Sequence, residues 1–164
     1  MRWLGGVSVL ALLIWACASD SAAPDPRLEA TVLRATDTIR FHAKAVVYHC
    51  QGGRGSLIEA VGYASGVLVW LRGSIDSASG SFPVLGMRDT VTKRGAIVAV
   101  RFAAQAVPHT VSLDSGSVVV KDSGSARRVE INGSGLDING GTRSALRATF
   151  SALPAPTDST SCSR

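Results

Sequence analysis

The chain has 164 residues, of which 46% are apolar and only 5% aromatic, and it carries a formal charge of +5 at pH 7. That length supports one hydrophobic core and excludes a multidomain assembly. The basic residues are scattered along the sequence, with no run of five or more and no interleaved aromatics, so the composition argues against a nucleic-acid partner.

The N-terminus is the most specific segment. Met1-Arg2 precedes an uncharged stretch from Trp3 to Ala16, and Ile14-Trp15-Ala16 stands directly before Cys17. One positive charge, a short apolar run and a small residue before a cysteine resemble the signal peptide and lipobox of bacterial lipoproteins, departing from that pattern only at bulky Trp15. A membrane-spanning helix needs about 20 apolar residues, more than this run supplies. The resemblance implies cleavage before Cys17, lipidation of its thiol, and a membrane anchor of several acyl chains. Because Ala18 rather than aspartate follows the cysteine, it also implies an outer-membrane address in the cell envelope, facing the periplasm or the surface. Residues 1–16 are then the leader, and 148 residues remain.

Residues 17–37 are assigned as lipidated cysteine and flexible tether, since Ala18 to Pro26 is small, polar and proline-bearing and cannot bury enough apolar area to order itself. Within that stretch, Leu28 to Arg34 offers either an early strand or a short helical turn. The folded domain is placed at 38–153, and the Pro/Ser/Thr-rich residues 154–164 form a tail.

Inside the domain the apolar period is two. Ile39 to Ala45 and Leu146 to Ala152 alternate apolar with polar residues, as strands with one face on a core do. Val67 to Leu71 and Ile97 to Phe102 are more continuously apolar and β-branched, which suits central strands, and Trp70 is expected in the core. Weaker strands are expected at Ser56 to Tyr63, Ser81 to Leu85, Thr110 to Leu113, Ser117 to Lys121 and Ala126 to Ile131. Ser56-Leu57-Ile58-Glu59 also has the form of a helix-capping box, but Gly62 and Gly66 cut any helix short. The tetrads Asp114-Ser115-Gly116-Ser117 and Asp122-Ser123-Gly124-Ser125 each read as a hairpin bend, with aspartate capping and glycine taking positive φ. Asn132-Gly133-Ser134-Gly135 and Asn139-Gly140-Gly141 continue that punctuation. The chain is therefore expected to be all-β: one antiparallel sandwich or small barrel of eight or nine strands.

Once Cys17 is set aside, Cys50 and Cys162 are an even remainder in a compartment where disulfides persist. A bridge between them would pin the C-terminal tail; the alternative is one buried and one free thiol.

No residue pattern identifies a reaction. His42 and His49 differ by an odd number and would face opposite sides of one strand, which disfavours a metal site, and His109 stands apart. Neither Gly-x-Ser-x-Gly nor Ser-x-x-Lys occurs. Glu59, Asp76, Asp89 and Glu130 form no glycosidase pair, and Asp137 to Gly141 lacks the closing glutamate of a calcium loop. No cofactor or metal is indicated. The most plausible binding loops are Gln51 to Gly55, carrying Arg54, and Arg88 to Arg94, carrying Arg88, Lys93 and Arg94, because glycine-flexed cationic segments on a sheet can grip an anionic group. Tyr48 and Tyr63 are the expected surface rings.

The function expected from the residues is a non-enzymatic, lipid-anchored binding or interaction module, meeting an envelope protein, a polymer or a small ligand. A lipocalin-like carrier, whose barrel keeps a cavity for a hydrophobic molecule, is the first alternative, and a hydrolase the second.

Overall fold

The computed structural model describes residues 25–53, 55–73, 75, 79–123, 125–139 and 141–162; Cys17 and the leader lie outside them. Ten strands form in chain order: β1 (Arg27–Leu33), β2 (Thr38–Cys50), β3 (Ser56–Val61), β4 (Gly66–Arg72), β5 (Gly80–Pro83), β6 (Gly95–Ala104), β7 (Val107–Ser123), β8 (Ala126–Asp137), β9 (Arg143–Leu153) and β10 (Asp158–Thr160). Eight of them pair antiparallel with their chain neighbours, β5 being passed over, and β1 pairs with both β2 and β9. The result is a closed eight-stranded up-and-down barrel with β5 and β10 as additions.

Alternation decides which side chains fill it. In β1, Leu28, Ala30 and Val32 are buried while Glu29 and Thr31 face outward. Across the barrel the inward residues merge into one core that includes Phe82, Phe102 and Phe150, all at about 1% exposure or less. An eight-stranded barrel has an interior just wide enough for side chains to fill, and here they do.

Two long strands outrun their partners, and each surplus length is covered. Beyond the reach of β1, β10 runs parallel to β2, with Thr160 opposite Cys50, and the Gln51 amide donates to the Thr160 carbonyl at 2.9 Å. The Cys50–Cys162 disulfide, with Cα atoms 5.3 Å apart, fixes this strand in place. On the far half of β7, β5 takes the position that β6 vacates, Phe82 lying opposite Val118. Unpaired strand edges are templates for association, and both devices remove them.

The structure corrects several expectations. The barrel begins at Arg27, inside the segment assigned as tether, because Leu28, Ala30 and Val32 alternate and bury. The tail likewise contributes β10. Asp114 to Ser117 is no hairpin bend: β7 runs straight through it, and the extra residue is absorbed as a bulge between Leu113 and Ser115 against β8. Just past the bulge Gly116, opposite Gly133, takes φ +118°, a conformation that glycine adopts freely and other residues rarely do. Gly133 and Gly135 lie within β8 where the backbones crowd: a Cβ at Gly135 would stand 1.9 Å from the Ser112 carbonyl oxygen. Trp70 faces outward, since Val67, Val69 and Leu71 take the inner side of β4. It lies half-buried under the Arg72 guanidinium, 5.1 Å from the ring centroid. Ser56 to Val61 is strand β3, and the Ser56 hydroxyl, buried, accepts from the Ile75 amide at 3.2 Å.

The β6–β7 turn is the most strained part of the wall. Gln105 and Ala106 both have positive φ, 50° and 63°, in a two-residue turn that normally carries Asn-Gly. Replacing Ala106→Gly is expected to raise stability by about 1 kcal/mol in denaturant unfolding, the left-handed cost of a non-glycine residue being relieved. Substituting Cys162→Ser opens a loop of 112 residues. By loop entropy alone it is expected to lower stability by up to about 5 kcal/mol, read as a fall in the unfolding midpoint relative to the oxidised chain.

Candidate functional site

In the closed barrel the outward-facing residues of five neighbouring strands, β2, β1, β9, β8 and the far half of β7, form one continuous wall. A groove of about 920 Å³ runs along it. The strand registers arrange its lining in rows. One row reads Arg40, Thr31, Arg147, Asn132 and Ser117. The next reads His42, Glu29, Thr149, Glu130 and Val119. Below it, Lys44 and Arg27 stand opposite each other, as do Arg128 and Lys121.

The two acidic residues in the rows of the groove, Glu29 and Glu130, are occupied by neighbours, and a third, Asp25, lies at the lower edge beside Arg27 and Lys44. Glu130 accepts from the Lys121 ammonium at 2.7 Å and from Arg128 Nε at 2.8 Å. Those bonds, Lys121 first, hold its carboxyl below the ordinary glutamate value. Glu29 lies 3.7 Å from Arg27. Arg40 and Arg147, by contrast, form no ion pair with any described residue and are exposed. Adjacent strands are about 4.8 Å apart, so these two arginines flank Thr31 with their Cα atoms roughly 10 Å apart. The groove thus presents two uncommitted guanidinium forks over hydroxyl and amide groups, a donor-rich surface suited to anionic groups.

The expected binding loops lie elsewhere. Arg54 falls outside the described residues. Arg88 and Lys93 are exposed on the β5–β6 connection, and Arg94 lies over the Phe82 ring at 4.8 Å; none of the three lines the groove. That connection is latched down. Arg72 donates to the Thr92 carbonyl at 2.8 Å and to both the backbone oxygen and, at 3.2 Å, the carboxylate of Asp89. Asp89 in turn accepts from the Thr92 hydroxyl at 2.6 Å and from the amides of Thr92 and Val91.

The histidines do not converge. His42 lies in the groove wall, whereas His49 sits seven residues along β2 opposite Ser56. His109 stacks on Phe102 with ring centroids 5.3 Å apart, and its Nδ1 lies 2.5 Å from Oδ2 of Asp137, whose carboxylate is buried. The other Asp137 oxygen accepts from the Asn139 amide, so Asp137 closes the β8–β9 turn and ties it to the start of β7. Among the described residues no hydroxyl or thiol hydrogen-bonds to His109, and no cluster of three His, Cys, Asp or Glu side chains could hold a metal ion. Tyr63 projects fully into solvent at the β3–β4 turn, while Tyr48 is half-buried.

Sequence reading missed the groove because its cations come from five strands that only the register brings together; the outward positions of each alternating strand were the available signal. The Asp89 latch yields a pH test. Hydrogen bonds from Thr92 lower its carboxyl from 3.8 to about 2, and a depressed folded-state value means the carboxylate favours the latched loop above about pH 4 and ceases to as pH falls through about 2. The Val91 and Thr92 amide resonances are expected to titrate with that midpoint. Asp89→Asn should strip their exchange protection at neutral pH while leaving β3 and β4 protected. The chain matches no protein-family model, no curated protein and no solved structure.

Proposed function

We propose that this chain is a non-enzymatic binding module of the bacterial envelope, anchored by lipid at Cys17, in which the barrel is a rigid scaffold and the partner meets its outer wall. The observation that carries this reading is the contrast between inside and outside. The interior is occupied by one apolar core containing Phe82, Phe102 and Phe150, while a groove of about 920 Å³ lies on the wall and is charged. A ligand inside would have to displace those side chains; a ligand outside displaces only water. The Cys50–Cys162 disulfide suits the oxidising compartment that the N-terminal resemblance implies.

The closed eight-stranded barrel favours the carrier as a second reading, since barrels of this size elsewhere hold one small ligand. One preparation separates the two. The full chain is produced in a bacterium fed labelled palmitate, extracted in a non-ionic detergent and examined by native mass spectrometry. Label incorporated in the parent and lost in Cys17→Ser, with no non-covalent passenger, is the expected result. A stoichiometric co-purified lipid would replace the scaffold reading with the carrier.

A further inference from the structure

We propose that the outer groove binds a linear anionic polysaccharide, with its acidic groups seated at Arg40 and Arg147. This rests on the binding-module reading and names the partner's chemistry. Three observations carry it.

The first is charge. Six exposed cations, Arg27, Arg40, Lys44, Lys121, Arg128 and Arg147, share this wall with three carboxylates, Glu29, Glu130 and, at its lower edge beside Lys44, Asp25, an excess of three positive charges. Glu130 is already shared between Lys121 and Arg128, and Glu29 lies beside Arg27. Arg40 and Arg147 therefore pair with no described carboxylate, and their charge attracts anions from a distance. Arg40 and Arg147 are also two strands apart, so each can fork onto a separate anionic group, and a ligand satisfying both carries repeated charge.

The second is shape. A groove of about 920 Å³ spans five strands of the wall, and the flat surface of a bilayer would not enter it. A chain laid along the groove reaches both arginines at once.

The third is the chemistry between the cations. Thr31, Thr149, Ser117 and Asn132 line the floor, and these groups exchange hydrogen bonds with sugar hydroxyls. No Phe, Tyr or Trp ring lines the groove on its outer side, Phe41 being turned to the core, and the His42 imidazole is the one exposed ring among its lining residues. Single-stranded nucleic acid is held largely by stacking successive bases on several aromatic side chains, and one imidazole does not make such a platform. A polymer recognised through acid groups and hydroxyls needs no such platform.

The test uses the full chain in non-ionic detergent, titrated with dextran sulfate, polygalacturonate and neutral dextran. Dextran sulfate separates sulfate from the carboxylate of polygalacturonate as the preferred group. Both polyanions are expected to bind, neutral dextran not, and affinity should fall as salt rises. Arg40→Glu with Arg147→Glu should weaken binding by about tenfold or more, and Arg40→Gln with Arg147→Gln should weaken it in the same direction without reversing charge. Arg88→Glu with Lys93→Glu, on the latched loop, should change it by less than about twofold. Unchanged unfolding midpoints show that each variant is folded. The proposal is overturned if neither polyanion binds, or if the groove variants bind like the parent. It is overturned in favour of a bilayer if phosphatidylglycerol vesicles bind more tightly than both polymers and lose affinity with the same variants. It is overturned in favour of nucleic acid if oligo-thymidylate binds at least as tightly as the polymers do. A co-purified lipid in the native mass spectrum would instead remove the binding-module reading, so the two failures are distinguishable.

Discussion

The pairing of β1 with β2 on one side and β9 on the other is the constraint on which the remaining structure depends. All seven residues of β1 are in register with both neighbours, from Arg27 opposite Lys44 and Ser151 to Leu33 opposite Thr38 and Ala145, successive residues bonding to alternate sides. Without that strand the sheet would have two long exposed edges and an apolar face open to water. With it, every alternating residue is assigned to one of two environments: Leu28, Ala30 and Val32 go to the core, and Glu29 and Thr31 to the outer wall. Closure therefore produces the packed interior and the charged exterior in the same step.

The exterior is divided. On one side β2, β1, β9, β8 and β7 gather basic residues around a groove. On the other, β3 and β4 present Val61, Leu68 and the half-buried Trp70 beneath Arg72. Exposed cations also stand outside the groove, Arg101 on β6 and Arg88, Lys93 and Arg94 on the β5–β6 connection, so what distinguishes the groove is two arginines held in register over hydroxyl and amide groups rather than positive charge alone. A barrel wall suits the binding of a repeating anion because its registers are held by backbone bonds, which fix the spacing of the cations' Cα atoms before a ligand arrives.

Much of the fold was legible and the groove was not, for a common physical reason. Alternation is local, so β2 and β9 could be read from Ile39 to Ala45 and from Leu146 to Ala152 without knowing their neighbours. Register is not local. Arg40 and Arg147 are more than a hundred residues apart in the chain and become close only through Thr31, in a segment that the sequence left undecided between an early strand and a short helical turn. The same dependence misled the reading of Asp114 to Ser117. Its residues have hairpin chemistry, yet β8 was available along the whole length of β7, so pairing continued and the surplus residue became a bulge. Trp70 went to the outer face because, in a strand apolar on both sides, composition does not say which parity points inward; the partners of β4 do. The loop cations Arg88 and Lys93 drew attention because glycine and charge together suggest mobility, whereas Arg72 and Asp89 hold that loop down.

The crowding between β7 and β8 bears on ancestry. At Gly116, Gly133 and Gly135 an added methyl would run into opposing backbone, within 2.2, 2.6 and 1.9 Å of a carbonyl oxygen respectively, so no side chain can be accommodated without respacing two strands. The cations of the wall face solvent and are under no such restriction. A divergent descendant of this barrel could therefore exchange its entire charge pattern, and with it its partner, while retaining a glycine triplet of fixed spacing as its most durable fingerprint.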